Sequence, residues 1–449
     1  MVRLPATRSW LRAAAVSVAI TGLAAPALAN GRFPSAVDLT FEETDAEVLY
    51  LSSTFGLLVS RDGGASFSWV CESAIGYGGT YDPAYAVGPG GELWATTPDG
   101  LRVSRDGACS WESAGGPLGA GVLTSDVAVG GDGRVWVTTS TVGETNDVFV
   151  STDVAGFAPG GLAADDIWWT SVRAAPGDAD RIYVSGLAPP RGDAPTAPVL
   201  RRTVDGGVTW DELPVADLAF RDESSLVLLA VSPVDPDVLF ARVQNAVEPV
   251  GDALYRSDDA GQSWTSVVEF GDVVSAFSIS ADGKTLLAAT AYRCPGDPAE
   301  PIKGCVRRSR DGGLTWSPTE SQPQLRCLAA VPGGGLLGCA NNWDPDNFAL
   351  GASTDDGQSW NGLFRFADMV GPLECAAGTT QRDTCSVDEW PDICLRFGVC
   401  ADPGDGPGDE SGGCCRVAGG GHPGDLACGL AVAVALMWWS RRRRRTPRR

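Results

Sequence analysis

Histidine is almost missing from this chain: His422 is the single copy in 449 residues. Ser-His-Asp catalysis and histidine-ligated metal sites both need an imidazole inside the folded body, so neither is expected. Lysine is nearly as scarce, with Lys284 and Lys303 alone among 34 basic residues, against 56 acidic ones and a formal charge of −22. Such a chain offers no basic surface to nucleic acid. None of the 13 cysteines falls in a Cys-x-x-Cys pair, which argues against zinc, and no metal or cofactor is expected. No apolar run reaches the roughly 18–20 residues of a stable membrane-spanning helix.

The apolar content of 44% is enough for a full core. At the start, Arg3, Arg8 and Arg12 precede an apolar stretch at 13–23 and the small-residue site Ala27-Leu28-Ala29. Residues 1–29 therefore read as a secretory signal peptide, removed before the fold forms. At the other end, "DPGDGPGDESGG" (402–413) is an acidic Gly/Pro linker that cannot build a core. It leads into 414–449, where Cys414-Cys415-Arg416 comes before a short apolar segment, 426–439, and five arginines at 441–445. The arginines form a positive-inside stop.

This tripartite tail resembles the MYXO-CTERM sorting signal of myxobacterial surface proteins, with "GGCCRVAGG" as the signal-bearing part. The resemblance implies recognition by a sorting protease and transient arrest in the membrane through the short transmembrane segment. It further implies cleavage near Cys414–Cys415, modification of Cys415 and attachment at the outer cell surface. Removing the three signal-peptide arginines and the net seven positive charges after Cys415 leaves a mature body of about −32.

A phrase recurs between these ends: "SRDGGASF" (60–67), "SRDGACSW" (104–111), "STDVAGF" (151–157), "TVDGGVTW" (203–210), "SDDAGQSW" (257–264), "SRDGGLTW" (309–316) and "STDDGQSW" (353–360). Its aspartates, Asp62, Asp106, Asp153, Asp205, Asp259, Asp311 and Asp355, are spaced 44, 47, 52, 54, 52 and 44 apart. A period of that size signals a solenoid or propeller. Around Asp311, "VVSAFSIS", "TLLAATAY", "CVRRS" and "TWSPTES" read as four short strands, with the phrase as the turn between the third and fourth. The expected fold is all-β, a seven-bladed β-propeller of four-stranded antiparallel blades over 33–370. A small disulfide-rich module (371–401) and the sorting tail follow it.

The phrase resembles the Asp-box, or BNR repeat, of sialidase-like and sortilin-like propellers and of some glycoside hydrolases. Within it the aspartate accepts turn amides, glycine supplies positive φ and tryptophan packs between sheets. These roles are structural. The third copy is degenerate, Phe67 replaces tryptophan in the first, and Ala108 replaces glycine in the second, which questions the left-handed turn position there. A sialidase would carry an Arg-Ile-Pro motif, where this chain has "GRFPS" (31–35), and six blades rather than seven. Xyloglucan-cleaving enzymes of the superfamily pair two such propellers, and this chain has one.

Cysteines in an exported chain suggest disulfides. Cys327 and Cys339 face each other across a hairpin, Cys294 and Cys305 close a loop of blade six, and Cys71 and Cys109 lie on neighbouring blades where they could pair. Cys375, Cys385, Cys394 and Cys400 form the stapled module, with their connectivity open.

Ligands are expected on the face opposite the repeated turns. Candidate binding residues there are Tyr77, Tyr81, Tyr85, Trp168, Trp169, Arg221, Glu223 and Trp343, and candidate catalytic acids are Asp82 with Asp165 or Asp166. Aromatics beside carboxylates suit a sugar, through ring stacking and hydroxyl hydrogen bonds or through paired-acid hydrolysis. Two functions follow: a non-catalytic surface module binding an extracellular glycan or protein, or a glycoside hydrolase.

Overall fold

A computed structural model describes residues 32–400 apart from 43–44, 154–155, 191–194, 221–223, 246–250, 292–304 and 332. The expected signal peptide, linker and sorting segment, with Cys414, Cys415 and Arg416, lie outside the described residues, as do Cys294, Arg221 and Glu223. No helix among the described residues is long and apolar enough to cross a membrane.

The strands assemble into seven sheets, each holding four antiparallel strands that follow one another in the chain. Blade one runs from Ala36–Glu42 to Ser68–Val70, and blade seven from Cys327–Ala330 to Asn361–Phe364. The first strands of successive blades lie side by side, and that of blade seven returns to Ala36–Glu42, so the sheets close radially. Second strands such as Val135–Thr139 and Leu286–Thr290 are buried at every residue. Neighbouring blades cover both their faces, so they read as unbroken apolar or β-branched runs rather than alternating ones.

The repeated phrase forms the same turn in six blades. In blade six the Ser309 hydroxyl donates to Asp311 Oδ1 at 2.7 Å, which also accepts the Thr315 amide at 2.9 Å, while the Thr315 hydroxyl donates to Oδ2 at 2.6 Å. These donors hold the Asp205, Asp311 and Asp355 carboxyls down at about 2. Gly313 has a φ of 90°, and a Cβ there would stand 2.6 Å from the Phe240 ring. Ala108 keeps the left-handed conformation at its own turn, with a φ of 74°, so the substitution strains the turn without abolishing it. In blade three, Asp153 pairs directly with Gly156. Asp311→Ala is expected to cost about 1–2 kcal/mol in urea unfolding by leaving turn amides unpaired, with ligand binding on the opposite face unchanged. Parental stability in that variant would contradict the structural role.

Arginines link the blades. Arg61 donates to Gly107 O at 3.2 Å, Arg202 to Ala260 O at 3.3 Å and Arg308 to Asp356 O at 3.4 Å, and Arg256 donates to Gly312 O. Each acceptor is the carbonyl of the residue after the turn aspartate in the next blade. A broad, always-charged fork suits this reach better than a flexible ammonium, in keeping with the scarcity of lysine.

The C-terminal segment clasps the ring. Gly371–Pro372 pairs in parallel with Ser68 and Trp69 as a fifth strand of blade one. A π-helical stretch, Gln381–Glu389, and the helix Trp390–Phe397 follow. Gln381 is fully buried, donates to Trp69 O at 2.8 Å and accepts from the Cys71 amide at 3.2 Å. Phe397 packs against Phe55 and Phe366 with ring centroids 5.0 and 5.3 Å apart, and Phe67 meets Phe364 of blade seven at 4.5 Å.

The expected Cys71–Cys109 pairing is corrected here: Cys71 bonds Cys385 and Cys109 bonds Cys375. The returning segment lies along the outer edges of blades one and two and brings each partner closer than the two blades bring Cys71 and Cys109 to each other. Two of the four module cysteines thus fasten the segment to the propeller, and Cys394–Cys400 staples it internally. Cys327 and Cys339 are directly opposed in the ladder and bonded. Cys305 is also disulfide-bonded.

Candidate functional site

Antiparallel order puts the loops between second and third strands on one face, together with the connections between blades. The hairpins between first and second strands lie on the other face, with the repeated turns. On the loop face, several candidate residues serve the scaffold. The Tyr81 hydroxyl donates to Thr124 O at 2.7 Å and meets the Thr96 hydroxyl at 3.0 Å, tying blade two to blade three, and burial pushes its phenol up to about 12. Tyr77 and Tyr85 are buried between blades, which raises both phenols. Trp169 is core, packed with Trp136 and Ile182, and Trp168 is half-buried at the head of blade four.

The candidate acids have separate attachments. Asp82 pairs with Arg32 at 2.5 Å, and Asp165 accepts the Thr145 hydroxyl at 2.5 Å. They stand on different connections, between blades one and two and between blades three and four. Asp166 is half-buried on the second of these.

Trp343 stays open. It is 41% exposed and meets Phe33, which is 64% exposed, edge to face with centroids 6.1 Å apart. Both supports are fixed. Thr54 Oγ1 donates to Phe33 O at 2.9 Å. The Trp343 loop closes through Asn342 N to Phe348 O at 2.8 Å and Asn347 N to Trp343 O at 2.9 Å, and Asn342 Oδ1 accepts the Phe366 amide at 2.8 Å. Arg32 sits one residue from Phe33 and is held by Asp82 and by Tyr81 O at 3.4 Å. The result is a rigid, water-facing pair of rings beside a compensated ion pair, suited to stacking on an apolar sugar face. Phe33 was legible only as part of "GRFPS", with nothing in the sequence to link it to a residue 310 positions away.

Sequence reasoning also missed a charged cluster on the first strands. Asp126 of blade three pairs with Arg173 of blade four at 2.6 Å, and Arg173 also donates to Leu229 O of blade five at 3.1 Å. Asp38 of blade one, itself exposed, lies within their electrostatic reach, and desolvation by the protein around it raises its carboxyl to about 6. The signal was present as charges inside strands, in "VDLTF", "SDVAV" and "SVRAA". Among the described residues, the one group with metal-ligating spacing is Cys71, Cys385 and Glu389. Its two thiols are consumed by their disulfide.

By sequence the chain matches no family profile and no curated protein. Solved structures with similar folds include the GH74 xyloglucanase from Xanthomonas campestris, with 17% identity, 76% of this chain and 67% of that one covered, and a TM-score of 0.43. A PL25 ulvan lyase bound to a glycan is 12% identical, over 73% of this chain and 92% of its own, with a TM-score of 0.45. The extracellular domain of a hybrid two-component system from B. thetaiotaomicron is 11% identical, over 73% and 39%, with a TM-score of 0.47.

Proposed function

We propose that this chain is an exported, surface-anchored binding module of the Asp-box type that holds an extracellular glycan on its loop face without cleaving it. The observation that carries this reading is the exposed, preorganised Phe33–Trp343 pair. Two rings held by a fixed loop can stack on a sugar at little ordering cost. Asp82 and Asp165 are meanwhile engaged by Arg32 and Thr145. The charge of −22 favours neutral glycans over polyanionic ones. Export and anchoring draw support from the signal-like start and the Cys415-Arg416 tail.

A glycan array probed with the parent protein, Trp343→Ala and Phe33→Ala tests this. Losing a stacked ring removes roughly 1.5–3 kcal/mol of burial, so each variant is expected to bind the captured glycan about tenfold more weakly or worse. Equal binding by all three proteins would move the site elsewhere. One observation favours the second reading, a glycoside hydrolase: Asp38, with its raised carboxyl, lies within electrostatic reach of the Asp126–Arg173 salt bridge, and two acids close together are the pairing hydrolysis uses.

A further inference from the structure

The first-to-second-strand hairpins ring the mouth on the face opposite Trp343, and they enclose two cavities of ≈ 410 and ≈ 940 Å³ that meet at Pro176. The larger is lined by Phe41, Val231, Ile279, Val331 and Leu336, and by the glycines 333–335. Among the described residues no lysine or arginine lines either cavity, and the charged lining is Glu42, Asp282 and Asp356. We propose that this funnel docks an extended peptide segment from a partner protein, one that presents apolar side chains to the cavity and a lysine or arginine to Glu42.

Shape and charge together point to such a segment. A volume of ≈ 940 Å³ lies in the range of specific ligand sites. The hairpin at Gly333 and Gly334 has nothing within 4 Å of where a Cβ would stand, so another backbone can approach it closely. Asp356 shares Arg310 at 3.4 Å, and Asp282 stands beside Lys284. Glu42 accepts the Tyr50 hydroxyl at 3.5 Å and makes no salt bridge among the described residues. Nucleic acid is excluded by the missing cations. Among the described residues a sugar would find Phe41 as the single lining aromatic. A second copy of the chain would bring its own net charge of −22 against the same sign.

The test is fluorescence anisotropy of a fluorescein-labelled eight-residue peptide of alternating leucine and arginine, titrated with the purified protein at 150 mM salt. Saturable binding is expected, lost when glutamate replaces arginine or serine replaces leucine in the peptide. Ala281→Trp, which fills the funnel from an exposed hairpin position, and Glu42→Gln are each expected to weaken binding tenfold or more. Both should melt like the parent, and Trp343→Ala should bind the peptide normally. Binding that survives both funnel substitutions would be general attraction to an acidic surface and would overturn the proposal. So would the absence of saturable binding by the parent, or equal binding of the glutamate peptide.

Discussion

Replacing Cys109 and Cys375 together by alanine is expected to lower the unfolding free energy by about 4 kcal/mol, against about 3 kcal/mol for the Cys327–Cys339 pair. The difference comes from the unfolded chain. With Cys71–Cys385 still in place, the first bridge closes a ring of about 48 residues made of 71–109 and 375–385, and the second closes one of 12, and the entropy a cross-link removes grows with the logarithm of the loop. Cys109 and Cys375 are both partly exposed, so their removal leaves little cavity behind. Guanidinium unfolding of the two variants side by side gives the ordering directly. If the hairpin bridge proved the more important, the clasp would be an ornament on a ring that closes without it.

A second large effect is expected inside blade five. The Asp252 side chain is fully buried, pairs with Arg242 at 3.3 Å and accepts the Val274 amide at 2.8 Å, and Arg242 also donates to Val274 O. Burial pushes the Asp252 carboxyl up to about 6 and the Arg242 guanidinium down. Arg242→Met removes the counter-charge and is expected to cost about 3–5 kcal/mol at pH 7. The sign of its pH dependence follows from linkage. A carboxyl whose folded pKa lies above its unfolded value of about 4 is best tolerated when protonated, so stability is fullest at low pH and falls as pH rises through the folded pKa. Losing Arg242 raises that folded pKa further. At pH 5 the loss should therefore be smaller than at pH 7 by about 1.4 kcal/mol, the most that a parent carboxyl at about 6 allows, with the gap widening by about as much again towards pH 8. A loss that did not vary with pH would mean that Arg242 contributes through its packed stem alone.

What the sequence made legible was what repeats locally. The phrase around Asp311 carries its hydrogen-bond partners within four residues on either side, so turn, blade and ring could be read from one period. The clasp could not be read that way. Cys71 and Cys385 are 314 positions apart, and their neighbourhood exists only once blades one and seven have closed against Trp390–Phe397. The inter-blade arginines were visible as an excess over lysine, but their acceptors are backbone carbonyls with no side-chain signature. Among the site candidates, chemistry was legible and exposure was not. Tyr81 and Trp169 have the composition of a sugar site but serve the scaffold, whereas Trp343 projects from a loop held by Asn342. The hairpin funnel was hidden because glycine and proline at turns look the same whether a turn is closed or rims a cavity.

The central claim, binding on the loop face without turnover, is tested most directly by incubating the parent protein with the glycan it captures and following the chains by mass spectrometry over many hours. The account predicts a saturable complex that depends on Trp343, with glycan length unchanged throughout. Shortened chains that appear with the parent and vanish with Asp38→Asn would contradict it and establish the hydrolase reading.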